Sequence, residues 1–268
     1  DRKPFKPRVN ACKDSDGTLL NEKNRILGRW KNHFSELLGR DDSDGSQQAI
    51  SIRADDLEPP DIDEVQEAIE NLKSNKAAGA DGIPAELLKC GGQELAKSLH
   101  NIIMDIWEAE TIPTDWYDTI ICPIHKKGDV HECSNYRGIS LLACAYKVLS
   151  RILFLRLLPF AEREIGKYQA GFMKGKGTMD QIFTLRMMLE KSREFDMQLH
   201  HLFVDFQAAY DSIKRAELYR ELLEMNIPKK LVRLIQVTME SVKCYVRVDG
   251  DLSDAFSTNS GLRQGDSL

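Results

Sequence analysis

The sequence contains no apolar run long enough to cross a membrane. Its longest apolar stretch, VLSRILFLRLLPF at 148–160, is interrupted by arginines and falls short of the roughly 20 apolar residues that span a bilayer. The chain begins DRKPFKPRVN, without Met and without the basic-then-apolar pattern of a secretory signal. We therefore expect neither a membrane span nor secretion, and we expect the chain to begin within a longer protein.

The six cysteines form no CxxC pair, and a chain of 268 residues does not need disulfides for stability. We expect them to be reduced in an intracellular protein. Cys122, His125, His131 and Cys133 fall in one twelve-residue window, CPIHKKGDVHEC. Their spacing matches neither a zinc finger nor a zinc ribbon, so we favour an ordinary strand and turn over a metal site.

The net charge of −5 argues weakly against a nucleic-acid partner, but it conceals an asymmetry along the chain. Residues 41–70 carry eleven acidic side chains and only Arg53 as a base. Residues 121–180 carry ten basic side chains against five acidic ones. The second segment could bind a polyanion, whereas the first could not.

Apolar residues at helical spacing predict several helices. One covers most of LLNEKNRILGRWKNHFSELLG (19–39), a second is capped by Asp61 with Glu64 three positions later, and others lie at 94–108, 141–160 and about 178–195. In the 178–195 helix we expect Ile182, Leu185, Met188 and Leu189 to belong to the core. KRAELYRELLEMNIP and KKLVRLIQVTMES (214–241) predict two further helices, and RDDSDGSQQ (40–48) is a flexible connector by composition.

Strands are fewer. DTIICPIHKKGD (118–129) predicts a strand edge or hairpin, and VKCYVRVDGDLSDAF (242–256) predicts a hairpin that turns at Asp-Gly. Residues 199–206 read as a buried strand. Because helices precede and surround a few strands, the fold class is α+β.

Asp205 stands inside this apolar run, in HLFVDFQAAYDS, and Asp211 stands six positions later at its polar edge. A buried carboxylate must be hydrogen-bonded, paired with a cation or bound to a metal, because unpaired burial costs several kcal/mol. No basic residue lies nearby in the sequence. A functional role and pairing with a distant Lys or Arg both remain open for Asp205. Asp211 is expected to cap the following helix.

FVDFQAAYDS (203–212) resembles motif A of reverse transcriptases of the non-LTR retrotransposon class. Four further stretches resemble that family, in the family's order: GADGIPAELLK (79–89) ahead of the fingers, PIHKKGD with NYRGISLL (123–142) in the fingers, AGFMKGKGTMDQI (170–182) before motif A, and GLRQGDSL (261–268) at motif B. Five ordered matches are more specific than any one of them.

The resemblance implies a right-hand polymerase. We expect residues 1–60 to be an N-terminal extension with a helix and an acidic linker, 61–195 a fingers-like region, and 196–268 a partial palm. The function implied is an RNA-directed DNA polymerase acting by two-metal nucleotidyl transfer. Its partners would be an RNA template, a DNA primer and dNTPs, without a membrane and without a small organic cofactor. The expected cofactor is Mg²⁺, with Mn²⁺ as an alternative. The location is open beyond intracellular, and the nucleus is expected if the chain is part of an active element.

The resemblance also implies roles for individual residues. Asp205 matches the first metal-binding aspartate of motif A, and Phe206 would offer its backbone carbonyl to the same metal. Tyr210 falls where the family keeps an aromatic ring that excludes the ribose 2′-hydroxyl; a core aromatic is the alternative. The other implied residues are Gln264 and Gly265 of motif B at the nucleotide, with Gly261 allowing close backbone approach, Lys126 and Arg137 at the triphosphate, and Lys174 and Lys176 at nucleic acid.

Two features depart from the family. Gln207 replaces the Lys that the family often has two residues after Asp205. The Tyr/Phe-x-Asp-Asp hairpin that supplies the other metal ligands does not occur before Leu268. We therefore expect this chain, truncated before that hairpin, to be inactive by itself. A catalytically dead remnant and a domesticated nucleic-acid-binding module remain alternatives.

Overall fold

The computed structural model describes residues 11–39 and 57–268. Within them the helices are α1 Lys23–Leu38, α2 Ile62–Glu70, α3 Ala85–Cys90, α4 Gly92–Ala109, α5 Cys144–Glu164, α6 Thr178–Glu194, α7 Arg215–Glu224 and α8 Lys229–Met239. The strands are β1 Cys12–Lys13, β2 Leu19–Leu20, β3 Asp118–His125, β4 Tyr136–Leu141, β5 Lys243–Val248, β6 Asp251–Leu252 and β7 Phe256–Ser257. The α+β class is confirmed. The connector predicted at 40–48 lies outside the described residues.

The chain divides into two compact units. The first comprises the described residues up to Leu157 together with Ala208–Leu268, and the second comprises Leu158–Gln207. The division into fingers at 61–195 and palm at 196–268 stays a prediction. No helix in the described ranges is long and apolar enough to cross a bilayer.

A mixed sheet lies at the centre of the first unit, in the order β4-β3-β5-β6, and β7 also pairs with β5. The β3–β4 pair is antiparallel and the β3–β5 pair is parallel. β5 buries Cys244, Val246 and Val248 in alternation, and it turns into β6 at Asp249-Gly250, both with positive φ. The predicted strand and Asp-Gly hairpin are confirmed.

Helix α1 packs onto this sheet and forms part of its core. Trp30 and Phe34 are buried with Val246, and the Trp30 ring meets the Tyr136 ring edge-on at a centroid distance of 4.8 Å. Gly138 permits this packing, because a Cβ there would lie 2.8 Å from Cε1 of Phe34. The predicted helix within 19–39 is thus confirmed as an element packed on a larger body.

The other helices of this unit follow their sequence signals. Asp61 and Glu64 form the expected capping box, with the Glu64 N–H donating to Oδ1 of Asp61 at 2.8 Å. The loop before α3 approaches the start of α5 closely at Gly79, where a Cβ would lie 2.5 Å from the backbone nitrogen of Ala143. The window from Cys122 to Cys133 forms β3 and a turn, so the strand-and-turn interpretation is confirmed.

Two predictions for the second unit are wrong. Residues 201–206 form no strand, and Leu202 and Phe203 are 89% and 80% exposed. Helix α6 has its predicted bounds but buries no residue, and Ile182 is 58% exposed. A strand needs a neighbour for its N–H and C=O groups, and an apolar helix face needs a covering layer. Within Leu158–Gln207 the chain supplies neither a neighbouring strand for residues 201–206 nor a layer that covers the apolar face of α6.

Candidate functional site

The end of motif A and the residues just after it run beside the backbone of motif B. The N–H of Leu262 donates to the carbonyl of Tyr210 at 2.9 Å, and the N–H of Gly261 donates to the carbonyl of Ile213 at 2.8 Å. Lys214 forms an antiparallel bridge with Ser260. Two segments separated by about fifty residues are thereby held in contact through their backbones.

Two glycines of motif B allow this close approach. Gly261 has φ +74°, and a Cβ there would lie 2.9 Å from the carbonyl oxygen of Asp211. Gly265 has φ +125°, and a Cβ there would lie 2.7 Å from the carbonyl oxygen of Ser140 on β4. The Ser140 N–H donates to the Gln264 carbonyl at 2.8 Å. The two glycines therefore allow close backbone contacts within this chain. The predicted role of Gly265 at the nucleotide stays a prediction.

The Asp211 carboxylate accepts hydrogen bonds from the Gln264 side chain. Nε2 of Gln264 donates to Oδ1 and Oδ2 of Asp211 at 3.2 and 3.3 Å. Partial burial raises the pKa of Asp211, and the hydrogen bond from Gln264 offsets part of that rise. The predicted helix-capping role is wrong, because Lys214 holds the N-cap position of α7. A turn at 208–212 instead directs the Asp211 carboxylate to motif B.

A small cavity, open to solvent, lies between α1, β4 and motif B. Asp211, Gln264 and Ser140 line it together with Arg215 and Gly261. It brings a carboxylate and a carboxamide together at one concave surface.

Arg215, the first residue of α7, is buried and organises the wall of this cavity. Its guanidinium donates to the carbonyls of Met239, Thr258, Ser260 and Gly261 at 2.6–3.1 Å, and also to Oγ1 of Thr258 at 3.1 Å. These bonds fix the segment that leads into motif B. The sequence indicates nothing of this role, because the acceptors are mostly backbone carbonyls 24 to 46 positions away.

A second buried set anchors the end of motif B. Arg263 pairs with Asp266 at 2.9 Å, and the Tyr146 hydroxyl on α5 donates to Oδ2 of Asp266 at 2.7 Å. The same hydroxyl accepts a hydrogen bond from Arg263. Burial raises the pKa of Tyr146, so the phenol stays protonated. Sequence reasoning missed Tyr146 and Arg263.

Lys126 and Arg137 lie close together at one end of the β3–β4 hairpin. Arg137 pairs in register with Ile124, and the Lys126 N–H donates to the Asn135 carbonyl at 2.8 Å. Both side chains are exposed, and neither forms an ion pair within the described part of the chain. Two adjacent cations are thus available for an anion, although their role at a triphosphate stays a prediction.

The remaining candidate residues lie in the second unit. Asp205 and Phe206 are exposed, so the expected burial of Asp205 is wrong. Lys174 is exposed, whereas the Lys176 ammonium donates to the carbonyls of Lys167 and Gln169 and so stabilises its own loop. Over residues 11–39 and 57–268, no three His, Cys, Asp or Glu side chains are grouped to hold a metal ion.

The chain belongs to the reverse transcriptase (RNA-dependent DNA polymerase) family, whose model matches residues 124–268, more than half of the chain. It is 24% identical over 274 residues to the transposon TX1 uncharacterized 149 kDa protein of Xenopus laevis, an alignment that covers 98% of this chain and 21% of that protein. It is 28% identical over 214 residues to the RNA-directed DNA polymerase from mobile element jockey of Drosophila funebris, covering 79% and 23%.

A third relative is the Pol polyprotein from the type-1 retrotransposable element R2 of Popillia japonica, 25% identical over 207 residues, covering 77% of this chain and 28% of that protein. The resemblance to reverse transcriptases of non-LTR retrotransposons is therefore confirmed. The chain spans only 21% to 28% of the length of these relatives.

Proposed function

We propose that this chain carries the fingers and the first part of the palm of an RNA-directed DNA polymerase of a non-LTR retroelement. Its substrates would be an RNA template, a DNA primer and dNTPs. The observation that carries the proposal is the backbone pairing of Tyr210 with Leu262, because it brings the end of motif A against motif B beside one cavity. Membership in the family supports the same conclusion.

In this proposal the two motifs form a nucleotide site. Gln264 and Gly265 lie against the incoming nucleotide, and Tyr210, 43% exposed, excludes the ribose 2′-hydroxyl. Arg137 and Lys126 contact the triphosphate as exposed cations on one hairpin. Lys174 contacts nucleic acid, with Lys176 in a supporting role because its ammonium is already bonded to carbonyls.

The family generally depends on divalent metal ions, and we propose Mg²⁺, with Mn²⁺ as the alternative. Asp205 and the Phe206 carbonyl are the ligands that this chain would contribute. A two-metal site requires further carboxylates. Among the described residues, no three His, Cys, Asp or Glu side chains are grouped so that they could hold a metal ion. The described residues therefore do not complete the site, and we assign no chemical step to the metal.

Primer extension on an RNA template tests the proposal. We expect no extension by the 268-residue chain. The locus downstream of the Leu268 codon should be sequenced first, and the longer product should be assayed if the frame reaches a Tyr/Phe-x-Asp-Asp motif. In that product Asp205→Asn should abolish detectable extension, since it removes a metal ligand. Asp196→Asn is the matched control, exposed in the same unit and expected to leave extension unchanged. Full activity in the Asp205→Asn protein would contradict the assignment.

A nucleic-acid-binding module is the second candidate function, because the exposed, adjacent Lys126 and Arg137 could serve binding without catalysis. Such a module should bind RNA with an affinity that falls steeply with salt and needs no Mg²⁺. Extension by the longer product would exclude it as the sole function. A nuclear location stays a prediction.

A further inference from the structure

The side-chain carboxamide of Gln264 is hydrogen-bonded to the protein through its nitrogen. Nε2 donates to both carboxylate oxygens of Asp211, at 3.2 and 3.3 Å. In the described residues, Oε1 of Gln264 has no hydrogen-bond partner. Gln264 and Asp211 both line the small cavity, so a ligand there would lie beside the two residues.

The chemistry of the pair admits one orientation of the amide. An ionised carboxylate only accepts hydrogen bonds, whereas a carboxamide has one donor end and one acceptor end. Rotating the amide by 180° would set Oε1 against the carboxylate oxygens and leave both sides without a donor. Asp211 therefore determines which end of Gln264 remains available to a ligand.

Backbone contacts hold both partners in place. The Gln264 carbonyl is bonded to Ser140, and Asp211 lies against Gly261, where a Cβ would come within 2.9 Å of its carbonyl oxygen. Two other charged residues line the cavity. Arg215 donates hydrogen bonds to backbone carbonyls, and Arg263 forms an ion pair with Asp266. The orientation of the carboxamide thus rests on Asp211.

We propose that Asp211 is a positioning residue of the nucleotide site: it orients the Gln264 carboxamide so that Oε1 accepts a hydrogen bond from a deoxynucleoside triphosphate. The inference rests on the proposed function, because it requires that Gln264 contact a nucleotide. The donor would be a sugar hydroxyl or a base N–H, which share the same chemistry.

A double-mutant cycle tests the proposal on the full 268-residue chain. The dissociation constant of dTTP with Mg²⁺ would be measured by NMR titration for the wild type, Asp211→Asn, Gln264→Leu and the double variant. Asn preserves the shape of Asp but can also donate, so both amide orientations become possible. We expect Asp211→Asn to weaken binding by about two- to tenfold, the range of one hydrogen bond. On the Gln264→Leu background it should have no further effect.

Asp254→Asn is the matched control, since Asp254 is exposed and does not line the cavity. The Gln264 side-chain NH₂ resonances give a second readout, which should change in Asp211→Asn and not in Asp254→Asn. Dideoxythymidine triphosphate separates the two donors: the effect of Asp211→Asn disappears if the donor is the 3′-hydroxyl and persists if it is the base.

Three results would overturn the proposal. Asp211→Asn could leave both dTTP binding and the Gln264 resonances unchanged. It could weaken binding equally on the Gln264→Leu background, which would assign Asp211 an effect independent of Gln264. Finally, a wild-type chain that binds no dTTP would overturn the nucleotide site itself and the inference with it. This last result differs from the other two because it is observed in the wild-type chain, and so it tests the nucleotide site separately from the role of Asp211.

Discussion

The guanidinium of Arg263 lies over the ring of Tyr146, 4.5 Å from its centroid, and both side chains bond Asp266. Tyr146 belongs to α5 and the other two to motif B. The three side chains form a buried set of cation, anion and phenol, and Arg263 also donates to the carbonyl of Thr238 at 2.9 Å. This set attaches the end of motif B to a helix 117 positions earlier in the sequence.

Tyr146→Phe should destabilise the protein by about 1–3 kcal/mol, because it removes one hydroxyl and leaves buried groups of Arg263 and Asp266 with one partner fewer. Urea unfolding would measure the free energy. Tyr168→Phe is the control, since Tyr168 is 85% exposed and its change should be near zero. Equal effects in the two variants would show that the Tyr146 hydroxyl contributes nothing to stability.

Arg215→Lys should loosen the segment before motif B. Lysine keeps the charge but offers three donors on one nitrogen, which cannot reach the carbonyls of Met239, Thr258 and Ser260 together. We expect a loss of about 1–3 kcal/mol in the free energy of unfolding. Hydrogen exchange at 258–264 should become faster than in Arg220→Lys, whose Arg is exposed on the same helix. Unchanged exchange would contradict the anchoring role.

Gly79→Ala should destabilise the protein, since the added methyl would lie 2.5 Å from the backbone nitrogen of Ala143 and the start of α5 would have to shift. The expected loss is about 1–3 kcal/mol. Gly28→Ala is the opposite case. A methyl added to Gly28, inside α1, would have no atom within 4 Å, so Ala should stabilise by about 0.5–1 kcal/mol. Thermal unfolding of both variants checks the two signs.

Asp211→Asn should stabilise the protein at neutral pH. Burial raises the pKa of Asp211 above the ordinary 3.8, so the contribution of Asp211 to stability is full below pH 3.8 and is lost as the pH rises through the folded-state pKa. At pH 7 the partly desolvated, ionised carboxylate therefore lowers the stability of the folded state, and Asn removes that cost. Unfolding free energies at pH 7 and pH 4 should show the gain of the variant shrinking on acidification.

A stabilised Asp211→Asn protein with weaker dTTP binding would separate the positioning role from a merely structural one. A structural role predicts that stability and binding fall together. Asp254→Asn serves again as the control, with little change in stability at either pH.

Local signals in the sequence sufficed for the elements that depend on neighbouring residues. The Asp61–Glu64 capping box and the Asp249-Gly250 hairpin involve contacts within a few positions, and a pattern of that length records them directly. The order of motifs likewise identified the family, because each motif is a short string. For the same reason Gln264, Tyr210 and Arg137 could be selected as candidates before any geometry was available.

Only the tertiary structure decided which side chains meet. Apart from the Arg263–Asp266 pair, Arg215, Tyr146 and Arg263 form contacts with partners 24 to 120 positions away, and no periodicity encodes a partner at that distance. The pairing of Asp211 with Gln264, in place of a helix cap, has the same origin. The expected strand at 199–206 and the expected core face of α6 were wrong because apolar residues indicate a capacity for burial, whereas burial itself requires a covering surface supplied by other parts of a fold.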